Sequence, residues 1–255
     1  HALIADRRWD LFTFGVVAGA DSERILCEFT DTHGLQTEIL QEEVCPYIDF
    51  PESWEAYLKS VSRKFRYNVR NREKKLRAAG DVELRCITGA DECADFLDTM
   101  LDIDRHSWKE EAGTSMTQRP EQAIYHRRIA PLCAEQGLLR CYLLMLDGEA
   151  IAYLFGMLDG TIYYNLKSSY REQHRQLSPG VVLKAMIMRE LIEQGLRTWD
   201  FVGTAEPHKL QWSKDTYTLR RYAVFNRTLR GRLLHGRQRV GHIVRRLRRN
   251  GDADG

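Results

Sequence analysis

The chain has 255 residues, 43% hydrophobic and 29% charged, with 38 Lys and Arg against 36 Asp and Glu. This balance excludes a wholly disordered chain, and no apolar run approaches the roughly 18–20 residues that a membrane-spanning helix needs. The charge is unevenly spread: residues 226–255 hold nine Arg, no Lys and two Asp, leaving 29 basic and 34 acidic groups in the rest. The body is mildly acidic and the tail strongly basic. Cys27, Cys45, Cys86, Cys93, Cys133 and Cys141 form no CxxC and lie at no zinc-finger spacing from histidine, so they read as reduced thiols in a cytosolic protein without a metal. The first residue, His1, with no signal-peptide pattern, reads as a start inside a longer protein.

Residues 9–17 (WDLFTFGVV) are aromatic and β-branched and predict a strand. A helix over 21–31 and an extended stretch to Ile48 follow. Pro51 is expected to open a helix through Leu58, and Ser62 to cap a longer one ending at Gly80 with a stripe at Val61, Phe65, Val69 and Leu76. That second helix carries eight Arg and Lys against Glu73 alone. It reads either as a solvated face or as a basic surface turned towards an anionic ligand. Beyond Asp81 come a strand (82–88), helices over 91–104 and 120–135, then strands over 138–146, 150–158 and 161–169. Asp147-Gly148 and Asp159-Gly160 separate these three, and Asp-Gly is a strong hairpin signal. A polar loop (170–177), a helix (178–194), a strand (198–202), a short helix (207–213) and a strand (218–225) complete the order. It describes a mixed α/β (α+β) domain, a largely antiparallel sheet with helices on both faces.

The segment from His174 to Leu183 is the most informative. Ser178 suits an N-cap, Pro179 the first helical position, and Gly180 a place where a ligand approaches backbone. Ser-Pro-Gly either simply caps the helix or, with Arg175 beside the free N–H groups, forms an anion site. Arg8-Trp9-Asp10-Leu11 and Phe14-Gly15 echo Thr198-Trp199-Asp200-Phe201 and Val202-Gly203. Lone histidines lack partners at catalytic spacing, and Gly-x-Ser-x-Gly is absent.

The order of meander, basic loop, capped helix and strand ending in Asp-Phe-Val-Gly resembles the GNAT acyl-CoA N-acyltransferases. Ser178-Pro179-Gly180 is similar to the loop of the branch that includes cellulose-biosynthesis-type acetyltransferases and Fem peptidyltransferases. Residues 46–58, the basic helix with Arg66, Asn68 and Arg70, Trp108, residues 147–152 and Trp199–Gly203 fit that branch as well. The resemblance implies a GNAT fold over 81–226, inter-lobe helices over 51–80, the remnant of a first GNAT-like lobe over 1–50 beside it, and a basic tail over 227–255.

It also implies acyl transfer from acetyl-CoA or a longer acyl-CoA to a primary amine, on a small molecule or an envelope- or polysaccharide-related acceptor. Arg175, Gln176, Leu177, Ser178, Pro179, Gly180 and Val181 would then hold the CoA pyrophosphate. A strand bulge near 165–168, with Leu166 and Lys167, would supply an oxyanion-binding N–H. In this branch Tyr-Lys usually stands where His208-Lys209 does here, so His208 is expected as general acid for the thiolate. Asp200 or Glu206 would act on the amine, with Lys209 in the same cluster. An aminoacyl-tRNA-dependent transferase and a non-catalytic component of polysaccharide export are the alternatives. The expected location is cytoplasmic, with the Arg-rich tail in contact with anionic surfaces at the inner face of the membrane; no DNA partner is expected.

Overall fold

In the computed structural model, which describes residues 8–239, the strands are β1 (Leu11–Val17), β2 (Gln36–Asp49), β3 (Val82–Ile87), β4 (Cys141–Leu146), β5 (Glu149–Asp159), β6 (Ile162–Tyr170), β7 (Thr198–Asp200) and β8 (Thr216–Phe225). The helices are α1 (Asp21–Thr32), α2 (Trp54–Ser60), α3 (Arg63–Ala79), α4 (Cys93–Arg105), α5 (Trp108–Glu111), α6 (Pro120–Glu135), α7 (Pro179–Glu193) and α8 (Pro207–Leu210). Helical residues 229–239 follow β8. The expectations for 1–7 and for the tail from 240 lie outside the described residues.

Pro46–Thr216 forms one compact unit, with strand order β2-β7-β6-β5-β4-β3. Every pairing in it is antiparallel except β6 with β7. The first Asp-Gly hairpin turns through Asp147 (φ 49°) and Gly148 (φ 82°), the positive angles that a two-residue hairpin demands. All six residues of β4 are buried because helices cover both faces. Tyr142, Leu144 and Leu146 face α2, α3 and α7, whereas Cys141, Leu143 and Met145 face α4 and α6. A polar network ties the strands: the Tyr163 hydroxyl donates to the Arg140 carbonyl (3.0 Å) directly over Gly156. A Cβ at Gly156 would overlap that hydroxyl and lie 3.0 Å from the Arg140 oxygen. Gly156→Ala is therefore expected to cost about 1–3 kcal/mol of overpacking, read as a lower urea midpoint.

The second unit contains residues 8–45 and 217–239. Here β1 pairs antiparallel with β8 along its whole length, Leu11 opposite Phe225 and Val17 opposite Leu219. The contacts thus divide the chain at 45/46 and 216/217, whereas the sequence reading divides it at 50, 80 and 226. The last strand, expected over 218–225 within the acyltransferase span, pairs with the first. A ladder between residues some 200 apart leaves no mark on either segment's local pattern.

Other boundaries move for local reasons. The helix expected from Pro51 begins at Trp54, because Ser53 is the side chain that caps it, accepting from Ala56 N–H at 3.2 Å. Ser62 caps α3 as expected (3.2 Å to Phe65 N–H), and Phe65, Val69 and Leu76 are its buried stripe. The strand expected to reach Val202 stops at Asp200, and α5 was not anticipated.

Candidate active site

The site begins where two parallel strands part. β6 and β7 pair only over Ile162–Tyr164 against Thr198–Asp200. β6 then continues to Tyr170, while the chain after Asp200 turns away through Val202 (φ 46°) and Gly203 (φ 79°). A positive φ at a β-branched residue is strained, and two contacts hold it. Asp200 accepts from the Val202 N–H at 2.8 Å, and Lys209 Nζ donates to the carbonyls of Val202 (3.0 Å) and Thr204 (3.2 Å). Trp212, buried against Phe65, anchors the following segment, and its carbonyl accepts from the buried Tyr57 hydroxyl at 2.9 Å. The result is a fixed gap on the β7 side of residues 165–170.

Within β6 the register against β5 shifts: Phe155 faces Lys167 and Gly156 faces Asn165, leaving Leu166 as the extra residue of a bulge. Behind the strand lies a buried polar cluster. Asp104, with no exposed surface, accepts from the Tyr153 hydroxyl (2.9 Å) and the Met116 N–H (2.8 Å). Lys109 lies 3.6 Å from Asp104 and donates to the Ser168 carbonyl at 2.6 Å. Burial lowers the Lys109 pKa to about 8, with Asp104 opposing. Asp104→Ala leaves a hydroxyl and an N–H unpaired in the core, so a stability loss of about 2–4 kcal/mol is expected in chemical denaturation.

The gap opens into a cavity of about 430 Å³ lined by Ser168, Ser169 and Tyr170 of β6, by Trp108 and Arg72, and by the mouth of α7. From that mouth come Arg175, Ser178, Gly180 and Val181, with Lys184 one turn further along and His208 from α8. Arg175 is largely exposed and pairs with Glu172 at 3.2 Å. Ser178 stands at the N-cap position in the left-handed region (φ 54°, ψ 50°), and its side chain does not cap the helix. The expectation of a serine cap is therefore corrected: the chain enters α7 from a 3₁₀ turn (Glu172–Leu177), and this angle turns the hydroxyl from the helix. Val181 and Val182 N–H groups bond back to the Ser178 carbonyl, while Gly180 N–H has no partner among the described residues. A helix start with one unspent N–H and an adjacent guanidinium suits an anion.

Of the other residues expected to hold a cofactor, Gln176 is exposed, Leu177 packs on the core, and Pro179 is buried. Leu166 is 40% exposed, and Lys167 donates to the Gln122 side chain at 3.1 Å. Of the expected catalytic group, only His208 reaches the cavity. Asp200 and Lys209 hold the turn, and Glu206 lies 3.6 Å from His208 and 3.8 Å from Lys209. Burial, then Lys184, lower the His208 pKa from its ordinary value, with Glu206 opposing, so at neutral pH the imidazole is neutral and ready to take a proton. Sequence reasoning missed Lys184. Lys184 had a signal, as the one charge within the apolar run 179–188 (PGVVLKAMIM).

The basic face of α3 is mostly solvated: Arg63, Lys64, Lys74 and Lys75 are exposed, Arg70 pairs with Glu55, and Glu73 holds both Arg77 and Arg189. All six cysteines are free, and no helix among the described residues is long and apolar enough to cross a membrane.

A family model described as an acetyltransferase (GNAT) domain matches residues 63–210, more than half of the chain. None of the curated proteins matches the sequence significantly. Among solved structures, FemX superposes with a TM-score of 0.58 at 13% identity, covering 83% of this chain and 71% of its own. L-PGS from Bacillus licheniformis superposes with a TM-score of 0.52 at 12% identity, covering 81% and 67%. At such identities these likenesses speak for the fold.

Proposed function

The chain belongs to the GNAT acetyltransferase family, and from that premise we propose that this acyltransferase moves an acyl group from a coenzyme A thioester to a primary amine. The observation that carries the reading is the cavity at the parting of β6 and β7, with a helix start at its mouth and the His208 imidazole at its wall. The residues fit the cofactor: the Gly180 N–H and Arg175 suit a pyrophosphate, with the backbone around Gln176–Val181 framing it. The gap beside residues 165–170 suits an extended arm that pairs with strand backbone.

The amine nitrogen then attacks the thioester carbonyl carbon. Its proton passes to His208, the C–S bond breaks, and the same proton goes to the departing thiolate. Backbone N–H groups near the Leu166 bulge are proposed to meet the oxyanion, and Lys109 keeps that strand in place through the Ser168 carbonyl. Glu206 orients His208 in this reading, and Asp200 and Lys209 position the turn that carries both. Rate comes chiefly from holding amine and thioester together. The acceptor is a small-molecule or envelope-related amine, and the free cysteines support a cytoplasmic setting.

For the smaller unit we keep the reading as a partial first lobe, completed by β8 and supported by the echo of Trp9-Asp10 in Trp199-Asp200. A second reading, transfer from an aminoacyl-tRNA, draws on the exposed cations Arg63, Lys64, Lys74 and Lys75 of α3. Calorimetry with CoA and with charged tRNA decides between them. Saturable CoA binding that is indifferent to tRNA supports the first, and tight tRNA binding without CoA binding overturns it.

A further inference from the structure

The cavity holds more positive charge than the mouth of α7 accounts for. Lys184 lies four residues beyond Gly180, about 6 Å deeper along the helix at the usual rise. It makes no ion pair or hydrogen bond among the described residues. Its surroundings oppose its charge: burial, then Lys209, lower its pKa to about 8, and it in turn depresses His208 and Lys109. Arg72 lines the same cavity, and no carboxylate does. Ser169, 5% exposed, also lines this space, but its hydroxyl is buried and, opposite Tyr153, lies on the sheet face away from α7. A half-buried cation with no counter-ion costs free energy that an anionic ligand would offset.

We propose that Lys184 and Arg72 form a second anion subsite, distinct from the one at Gly180 and Arg175, which binds a carboxylate or phosphate carried by the acceptor amine. This rests on the transferase reading above and names its substrate class: an anionic or zwitterionic amine, such as an amino acid or a phosphorylated amine, and not a polyamine or a lysine-rich peptide. The donor's pyrophosphate is met at the exposed mouth. The deeper subsite lies beside His208, where the attacking amine must stand, so an anion held there places its own amine at the imidazole.

The test titrates inorganic phosphate onto the CoA-saturated protein by calorimetry, with wild type and Lys184→Met. Phosphate binding that persists with CoA bound, and weakens about tenfold or more in the variant while CoA affinity holds, is the expected result, as for loss of a charge-assisted hydrogen bond. If saturating CoA abolishes phosphate binding, or Lys184→Met weakens CoA instead, Lys184 belongs to the donor and the inference falls while the transferase reading stands. A protein that binds no CoA at all defeats the underlying reading, a separate outcome. Acyl transfer to alanine and phosphoethanolamine, compared with alaninamide and ethanolamine, then separates a carboxylate from a phosphate. Equal kcat/KM for the charged and neutral members overturns the proposal.

Discussion

Gly180→Asp is expected to raise the dissociation constant for CoA by about 100-fold or more, equivalent to about 2.7 kcal/mol, while leaving the fold intact. The two halves of this expectation come from different physics. A Cβ at Gly180 would meet only the Tyr170 ring, at 3.4 Å, which is ordinary contact. An aspartate in the first turn of a helix is favoured by the macrodipole, so the melting temperature should hold or rise slightly. What changes is the field at the mouth of α7. A carboxylate would occupy the space next to the one unspent N–H and would compete with a pyrophosphate for Arg175. Gly180→Ala supplies the bulk without the charge and should cost only a few-fold in affinity. Calorimetry and a thermal melt on the same samples settle the matter. An unchanged CoA affinity in the aspartate variant would move the donor's phosphates elsewhere.

The sequence carried this part of the site because Pro179 and Gly180 are local instructions: they start a helix and bare its first turn. The Asp-Gly hairpins and the strands they join were legible on the same ground, since turn chemistry is written in neighbouring residues. What was not legible depends on distance. The pairing of β1 with β8 joins opposite ends of the chain, and the division at 45/46 and 216/217 follows from it. Asp200 looked like a catalytic carboxylate because its position along the sequence suggested one; in space its Oδ1 is spent on the Val202 N–H. Lys209 is likewise held by two carbonyls of the same turn. Their companion Glu206 stays exposed beside His208. Neighbouring polar residues in a chain therefore divide into one that faces the ligand and several that hold the loop. Only the strained angle at Val202, invisible in the sequence, says which are which.

His208→Phe tests that division, because it removes the imidazole from the group of four while leaving the turn's own contacts untouched. The ring is only partly covered and makes no hydrogen bond that the fold needs, so stability should be little affected. The expected effect is a fall in kcat of about 100-fold or more, with KM for acyl-CoA changed little, as for a group whose proton transfer counts mainly in the transition state. The pH profile gives the sharper reading. A base must be neutral to accept the amine's proton, so kcat should rise with pH through the His208 pKa, which burial and Lys184 place below its ordinary 6.5. In His208→Phe that acid limb should disappear. Two neighbours should move it in opposite directions. Lys184→Met removes a cation that disfavours the imidazolium, so the pKa rises and the limb shifts up in pH. Glu206→Gln removes the carboxylate that favours the imidazolium, so the pKa falls and the limb shifts down. Opposite displacements from two single substitutions, one on α7 and one before α8, are hard to obtain if His208 is only part of the wall. A wild-type kcat in His208→Phe, or a limb that neither neighbour moves, assigns the proton to another group.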